Sequence, residues 1–267
     1  MINKGGIMRD KKGEESISNE GYIMKIIEFI DFNKVQIEFQ DKYKHRMFVK
    51  YSNFKRGCIK NPYHPSVFKV GYVGVGKYKR IINDDIYNKW FSMIRRCYDP
   101  YTVNRDTTYI NCYVCDEWLN FQNFAKWYEE NYYECNGEEM HLDKDILVKG
   151  NKIYSPQTCI FVPKRINLLF TKRKQDRGEY PIGVSEWNDK KYDKKYLRVR
   201  CNCFDKIKNK YTIKSLGCFP LNKPFQAFTI YKQFKENYIK QVADEYKDLI
   251  PKELYEALYK YEVEIND

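Results

Sequence analysis

The feature that most constrains the fold is a strict alternation of apolar and polar residues at 196–203, YLRVRCNC. Alternation with a period of two is typical of a strand with one buried face. Further strands are indicated by YPIGVSEW at 180–187 and YTIKSLGCF at 211–219, and a long helix by the apolar spacing within 223–246. The pattern predicts a three-stranded sheet with one face covered by a helix. Its apolar face would hold Leu197, Val199 and Cys201, and its polar face Arg198, Arg200 and Asn202.

The segment 138–170 concentrates polar residues that suit metal chemistry. MHLDKDILV predicts a strand, KGNKIYSP a loop, TCIFVP a second strand and KRINLLF the start of a helix. Residues two apart on a strand share a face, so His141, Asp143 and Asp145 are expected to point together. Carboxylate and amide oxygens are hard ligands that suit Mg²⁺ or Mn²⁺. The segment predicts a one-metal site with Asp143, Asp145 and Asn167 as ligands.

The same segment resembles the HNH (His-Me finger) endonucleases carried by phages and mobile elements. LDKDI aligns with the first element of their ββα-metal finger and TCIFVPKRIN with the rest. The resemblance implies that Asp143 is a metal ligand and that Asn167 completes the metal site on the helix. It places Lys144 where the family has its general base and Thr158 where the family has its middle Asn. Two of the three name-giving residues therefore depart from the family pattern.

The departure at Lys144 decides whether the finger can catalyse hydrolysis. An ordinary lysine is almost wholly protonated at pH 7, so it acts as a base only if burial lowers its pKa by several units. As an ammonium group, Lys144 would instead hold a phosphate or stabilise developing negative charge. The alternative base is His141, since a neutral imidazole is suited to taking a proton from water. Both residues are candidate catalytic groups.

The N-terminal half predicts a small β-rich module followed by amphipathic helices. Short apolar runs within 21–80 indicate strands, and the polar residues 1–20 are interpreted as a flexible tail. Helical spacing of apolar residues predicts helices at 84–99 and 115–132. GYVGVG at 71–76 lacks the Lys-Ser/Thr pair of a phosphate-binding loop, which favours a connecting loop.

Net charge points to a polyanionic partner. The chain has 48 Lys and Arg against 36 Asp and Glu, a formal charge of +12. Residues 178–243 hold 14 basic and 6 acidic side chains, whereas 244–267 hold 3 and 8. A further basic run spans the end of the finger and a linker at 173–179. The predicted phosphate contacts in this run are Lys164, Arg165, Lys172, Arg173, Lys174 and Arg177.

The C-terminal sheet and helix resemble the ethylene-response-factor-type (integrase-like) DNA-binding domain. The resemblance covers roughly 180–243 and rests on IGV with a following Trp, YLRVRC, SLGCF and PFQAF in that order. In phage HNH endonucleases such a domain often follows the nuclease. The resemblance implies that the polar face of the sheet enters the major groove of double-stranded DNA, where Arg reads guanine edges. The expected DNA-binding residues there are Trp187, Arg198, Arg200 and Asn202.

The nine cysteines and the absence of an apolar leader bear on compartment and metal content. An odd cysteine count without an export signal predicts reduced thiols in the cytoplasm, here of a bacterial host cell. No run of about 18 apolar residues occurs, so no membrane span is expected. Cys112 and Cys115 form a lone CxxC. The spacing favours two small apolar side chains, and a structural Zn²⁺ site is the alternative, with Cys97, Cys135 or His141 as further ligands.

These observations predict an α+β protein: a small N-terminal β module, a central helical region with an HNH-like finger, and a C-terminal three-stranded sheet packed on one helix. The expected function is that of a phage or mobile-element DNA-binding protein of the homing-endonuclease type, with metal-dependent hydrolysis of DNA. The alternative is a catalytically inactive DNA-binding protein, a regulator or counter-defence factor, that retains the finger. The predicted domains are 1–20, 21–80, 81–172, the linker 173–179, 180–246 and an acidic helix within 247–267.

Overall fold

The computed structural model describes residues 10–171, 179–191 and 193–267. The described residues have the predicted α+β architecture. They divide into two compact units at residue 130, with residues 152–155 belonging to the first unit. The strands are β1 (Glu15–Ile17), β2 (Ile23–Asp31), β3 (Lys34–Phe39), β4 (Arg46–Val49), β5 (Tyr113–Val114), β6 (Met140–Asp143), β7 (Ile153–Tyr154), β8 (Ile160–Pro163), β9 (Val184–Asp189), β10 (Lys194–Asp205) and β11 (Lys210–Phe219). The helices are α1 (Tyr51–Lys55), α2 (Asp84–Tyr98), α3 (Pro100–Arg105), α4 (Phe121–Asn131), α5 (Lys164–Asn167), α6 (Pro224–Glu245) and α7 (Lys252–Lys260), with 3-10 turns at Thr107–Tyr109, Asp116–Leu119 and Leu168–Phe170.

The first unit begins with an antiparallel sheet in the order β1-β2-β3-β4. Alternating residues of β2 and β3 are buried against Phe54 of α1, which confirms the predicted strands. Strand β1 lies inside the segment interpreted as a flexible tail, and that interpretation is wrong for residues 15–17. These residues pair with β2 because a tight turn returns the chain, with Ile17 opposite Ile23 and the Gly21 amide donating to the Ser18 carbonyl.

The helical part of the first unit is built around two tryptophans. Trp90 of α2 and Trp118 are fully buried, and Trp90 Nε1 donates a 2.7 Å hydrogen bond to the Trp118 carbonyl. The GYVGVG segment packs here as a connecting loop: Gln122 Nε2 donates to the carbonyls of Val73 and Tyr78. A Cβ on Gly76 would lie 2.2 Å from Gln122 Oε1, so the glycine is needed for this close approach. The helix predicted from residue 115 begins as α4 only at Phe121, because Asn120 has extended backbone angles.

The second unit contains the finger and the C-terminal module. In the finger, β6 pairs antiparallel with β8, and α5 follows β8 directly. The C-terminal sheet has the order β11-β10-β9, and its apolar face packs on α6, as predicted. Gly183 precedes β9 with φ +78°, a conformation that favours glycine, and a Cβ there would lie 2.0 Å from the Tyr231 ring of α6. The shared core contains Val184, Leu197, Val199, Cys201, Ala227, Phe228, Tyr231 and Val263.

Two further expectations concern the C-terminal segment and membrane-spanning helices. Helix α7 begins after Pro251 and lies within residues 247–267, the segment predicted to contain an acidic helix. Across the described residues, no helix is both long enough and apolar enough to cross a membrane.

Candidate functional site: the finger and the outer face of the C-terminal sheet

His141 and Asn167 form the polar contact at the centre of the finger. His141 lies on β6, and Asn167 is the last residue of α5, which the β6–β8 pairing brings alongside. Asn167 Nδ2 is 3.0 Å from His141 Nδ1, so the amide donates to an unprotonated ring nitrogen. That arrangement keeps the ring proton on Nε2, which faces Glu139 Oε1 at 3.3 Å. The contact fixes both the tautomer and the orientation of the imidazole.

Asp143 ends β6 and turns the chain. Its Oδ1 accepts hydrogen bonds from the amides of Asp145, at 2.9 Å, and Ile146, at 2.7 Å. Burial, and then the neighbouring carboxylate of Asp145, raise the pKa of Asp143 to about 6. Neighbouring carboxyl groups do not both ionise cheaply without a cation beside them. The pair is therefore suited to holding either a proton or a metal ion.

The expectation that His141, Asp143 and Asp145 share one strand face is wrong for Asp145. Strand β6 ends at Asp143, because the Asp143 side chain captures the next two amides that a longer strand would pair with β8. His141 and Asp143 keep the common face of the strand. Asp145 lies in the turn that follows, where its amide donates to Asp143 Oδ1.

Lys144 closes the loop that follows Asp143. Its side chain is buried, and its Nζ donates to the Asn151 carbonyl at 3.1 Å and to Asp145 Oδ2 at 3.2 Å. Asn151 Nδ2 donates back to the Lys144 carbonyl at 2.6 Å. These contacts hold both ends of the loop together, which gives Lys144 a structural role. The general-base or phosphate-clamp role predicted for Lys144 would require these contacts to break.

The donor atoms of the finger fit a hard divalent cation better than a soft one. The predicted ligands are two carboxylates and one amide, which suit Mg²⁺ or Mn²⁺. Throughout the part of the chain that the structure describes, no cluster of three or more His, Cys, Asp or Glu side chains could hold a metal ion. A site built from Asp143, Asp145 and Asn167 would thus need its amide ligand and bound water.

The CxxC pair, Cys112 and Cys115, lies in the first unit. Cys112 Sγ lies 3.7 Å from the Thr108 carbonyl oxygen. Burial raises the pKa of the Cys115 thiol. All nine cysteines are among the described residues, and none forms a disulfide bond.

Substituting Asp143 by Asn is expected to stabilise the protein near neutral pH. A carboxyl group whose folded-state pKa is raised holds its proton more tightly when folded, so its unfavourable contribution develops as the pH rises from about 4 to about 6. Above that range, Asp143→Asn should raise the free energy of unfolding by about 1 to 3 kcal/mol, and below about pH 4 the difference should vanish.

Urea unfolding of both proteins across pH 3.5–8 measures this difference. Asp248→Asn, at an exposed position, serves as the control and should change stability by less than about 0.5 kcal/mol. A stabilisation by Asp143→Asn that is the same at every pH would show that the carboxyl group titrates normally.

The basic residues at the end of the finger occupy two different environments. Arg165 is largely buried: its Nη2 is 2.7 Å from Glu245 Oε2 of α6, and its guanidinium lies over the rings of Phe204 and Tyr246. The residue predicted to contact phosphate thus joins α5 to α6 through its guanidinium. Lys164 is exposed and pairs with Glu139 at 2.7 Å. The other members of the predicted basic run, Lys172, Arg173, Lys174 and Arg177, lie outside the described residues.

The outer face of the C-terminal sheet, opposite α6, carries the other predicted DNA-binding residues. The Arg198 guanidinium lies 5.5 Å from the centre of the Trp187 ring, and its buried Nε has no hydrogen-bond partner among the described residues. Arg200 Nη2 is 3.4 Å from Ser185 Oγ. Asn202, the next residue of β10 on this face after Arg200, is exposed. Arg198, Arg200 and Asn202 alternate with the buried Leu197, Val199 and Cys201, as predicted.

Charge on this outer face is strongly one-sided. Pairing of the three described strands places one carboxylate on it, that of Asp189, and Asp189 is directly opposite Lys194. Glu186 pairs with Leu197 and therefore belongs to the other face, where it bonds Lys195. The centre of the outer face thus presents Arg198 and Arg200 without an opposing acid.

Comparison with known proteins finds no match to the chain among family models, curated proteins or solved structures.

Proposed function

We propose that this protein binds double-stranded DNA through the outer face of β9, β10 and β11. The proposal depends mainly on the position of Arg198, which lies against Trp187 with a buried Nε that has no hydrogen-bond partner among the described residues. A buried polar atom in this state is costly unless water or a ligand satisfies it. The opposite face of the sheet is already used by α6, so the outer face is the one available to a partner.

The chemistry of this face suits DNA in particular. Arginine presents a planar fork of donors that matches the major-groove edge of guanine, and a sheet of two or three strands is narrow enough to enter the major groove. Stacking on Trp187 limits the freedom of Arg198 before binding, which reduces the entropy lost on contact. The charge of residues 178–243, 14 basic against 6 acidic side chains, favours association with phosphates.

A salt titration of DNA binding tests the proposal. The purified protein is titrated against random-sequence duplex DNA between about 50 and 300 mM salt, where the logarithm of the binding constant should fall linearly with that of the salt concentration. A slope of roughly −3 or steeper would correspond to several displaced counterions. Absence of binding even at the lowest salt would refute the proposal.

A second candidate function, metal-dependent hydrolysis of DNA in the finger, is favoured by the contact of His141 with Asn167 beside the Asp143–Asp145 pair. Asp143, Asp145 and Asn167 would hold a divalent cation, which supplies charge neutralisation and a bound water of lowered pKa. His141 is the candidate proton acceptor of this cluster, and accepting a proton at Nδ1 would require Asn167 Nδ2 to release that nitrogen. Glu139 Oε1, 3.3 Å from Nε2, is placed to orient the ring through the opposite nitrogen, as the supporting carboxylate of a general base does.

Supercoiled plasmid incubated with the protein and Mg²⁺ or Mn²⁺ separates this candidate from the inactive alternative. Nicking that is lost in both His141→Ala and Asp143→Ala would support hydrolysis in the finger. Salt-sensitive binding without nicking, in the presence of either metal, would support a catalytically inactive DNA-binding protein. Nicking that survives both substitutions would place the activity elsewhere.

A further inference from the structure

Asn202 and Ile213 form a directly opposed pair on the outer face of the sheet. They are partners in the β10–β11 register. The pair lies two residues along each strand from Arg200 and Ser215, and therefore on the same face. Asn202 is exposed, and Ile213 is 66% exposed although it is a large β-branched aliphatic residue. The neighbouring Lys214 lies over the Phe234 ring of α6, on the opposite face. The outer face therefore presents one amide and one aliphatic side chain next to its arginines.

The two side chains match the two halves of one base pair. An Asn amide offers a donor and an acceptor that complement N6 and N7 of adenine, whereas the C5 methyl group of thymine is the apolar feature of the major groove. Directly opposed side chains on a sheet have Cβ atoms about 5 Å apart, so they can reach the same base pair or adjacent ones. An exposed Ile gains by covering a methyl group and loses by facing a phosphate.

We infer that the Asn202–Ile213 pair reads an A·T base pair, next to the base pair contacted by Arg200. This inference rests on the proposed function, since it requires the outer face to enter the major groove. It adds that sequence preference on this face is not set by guanine alone. Ile213 discriminates through the thymine methyl group, and Asn202 through the adenine edge.

Removal of single methyl groups from DNA tests the inference. The preferred duplex is first selected from a random pool, and each thymine is then replaced in turn by uracil, which lacks the C5 methyl group. The wild-type protein should lose roughly threefold to tenfold in affinity at one position and little at the others. Ile213→Ala should bind the thymine duplex more weakly by a similar factor and show no further loss with uracil.

The chain supplies a matched control for this variant. Ile207 is 97% exposed in the turn between β10 and β11, outside the paired positions, so Ile207→Ala removes an exposed isoleucine from the same hairpin. It should retain the full sensitivity of the wild-type protein to uracil. Asn202→Ala should lose preference for adenine at the pair where uracil has its effect.

The outcomes separate the inference from the function on which it rests. Wild-type binding that is salt-sensitive but indifferent to uracil at every position would overturn the inference and leave the proposed function intact. Unchanged uracil sensitivity in Ile213→Ala would overturn it as well. Failure of the wild-type protein to bind any duplex would overturn both.

Discussion

Replacing Arg198 and Arg200 together by alanine is expected to weaken DNA binding roughly a hundredfold or more at fixed salt, because each well-placed arginine contact contributes about 1 to 3 kcal/mol. Both side chains lie on the outer face, whereas the buried Val199 between them remains in place. The thermal unfolding midpoint should therefore move little. Fluorescence anisotropy with a labelled duplex measures the affinity, and circular dichroism measures the unfolding.

The control for this double variant must remove two positive charges elsewhere in the same unit. Lys252→Ala with Lys260→Ala does so on α7, where both lysines are exposed and pair with Glu256. It should reduce affinity only slightly, because distant exposed charges are screened by salt. Equal losses in the two double variants would mean that DNA responds to net charge and that the sheet face has no special role.

The C-terminal module could be predicted from the sequence because its signals are local. The alternation in β10 and the spacing in α6 each specify which side chains are buried, and the structure buries Leu197, Val199 and Cys201 against α6 as expected. What the pattern does not contain is the offset between β10 and β11. The register shifts between Val199, which pairs with Gly217, and Arg200, which pairs with Ser215, so that Leu216 is skipped. Because of this shift, Ile213 is opposite Asn202.

The finger shows where local patterns mislead. Its two strands are confirmed, but the pattern MHLDKDILV predicts a longer β6 than the structure has, because Asp143 Oδ1 accepts the amides of Asp145 and Ile146 and ends the strand. The role of Lys144 depends on Asn151, and the turn residues Gly150 and Asn151 were the available signal for that loop closure.

Arg165 shows a different limit, that of contacts between residues remote in sequence. Within the sequence it belongs to a basic run, and such runs are most often solvated or bound to phosphate. Its acidic partner, Glu245, lies at the end of α6, so no spacing rule connects the two. Only the packing of α5 on α6 shows that this arginine is internal.

Removing Glu245 is expected to destabilise the second unit more than removing Arg165 does. The two side chains are 16% and 18% exposed, so an unpaired charge in this place is costly. Glu245→Gln leaves the guanidinium of Arg165 without its carboxylate and should cost about 2 to 3 kcal/mol. Arg165→Met leaves a carboxylate that Lys206 still neutralises at 3.0 Å, so it should cost about 1 kcal/mol less.

The double variant Arg165→Met with Glu245→Leu gives the decisive comparison. It replaces the ion pair by apolar groups of similar volume beside Phe204 and Tyr246, and such replacements are often close to neutral. Urea unfolding of the wild-type protein, of Arg165→Met and Glu245→Leu singly, and of the double variant completes a cycle. The double variant should recover at least half of the loss caused by Glu245→Gln. Strictly additive losses would show that the two residues act independently, and the contact between α5 and α6 would then owe its stability to the aromatic rings that Arg165 covers.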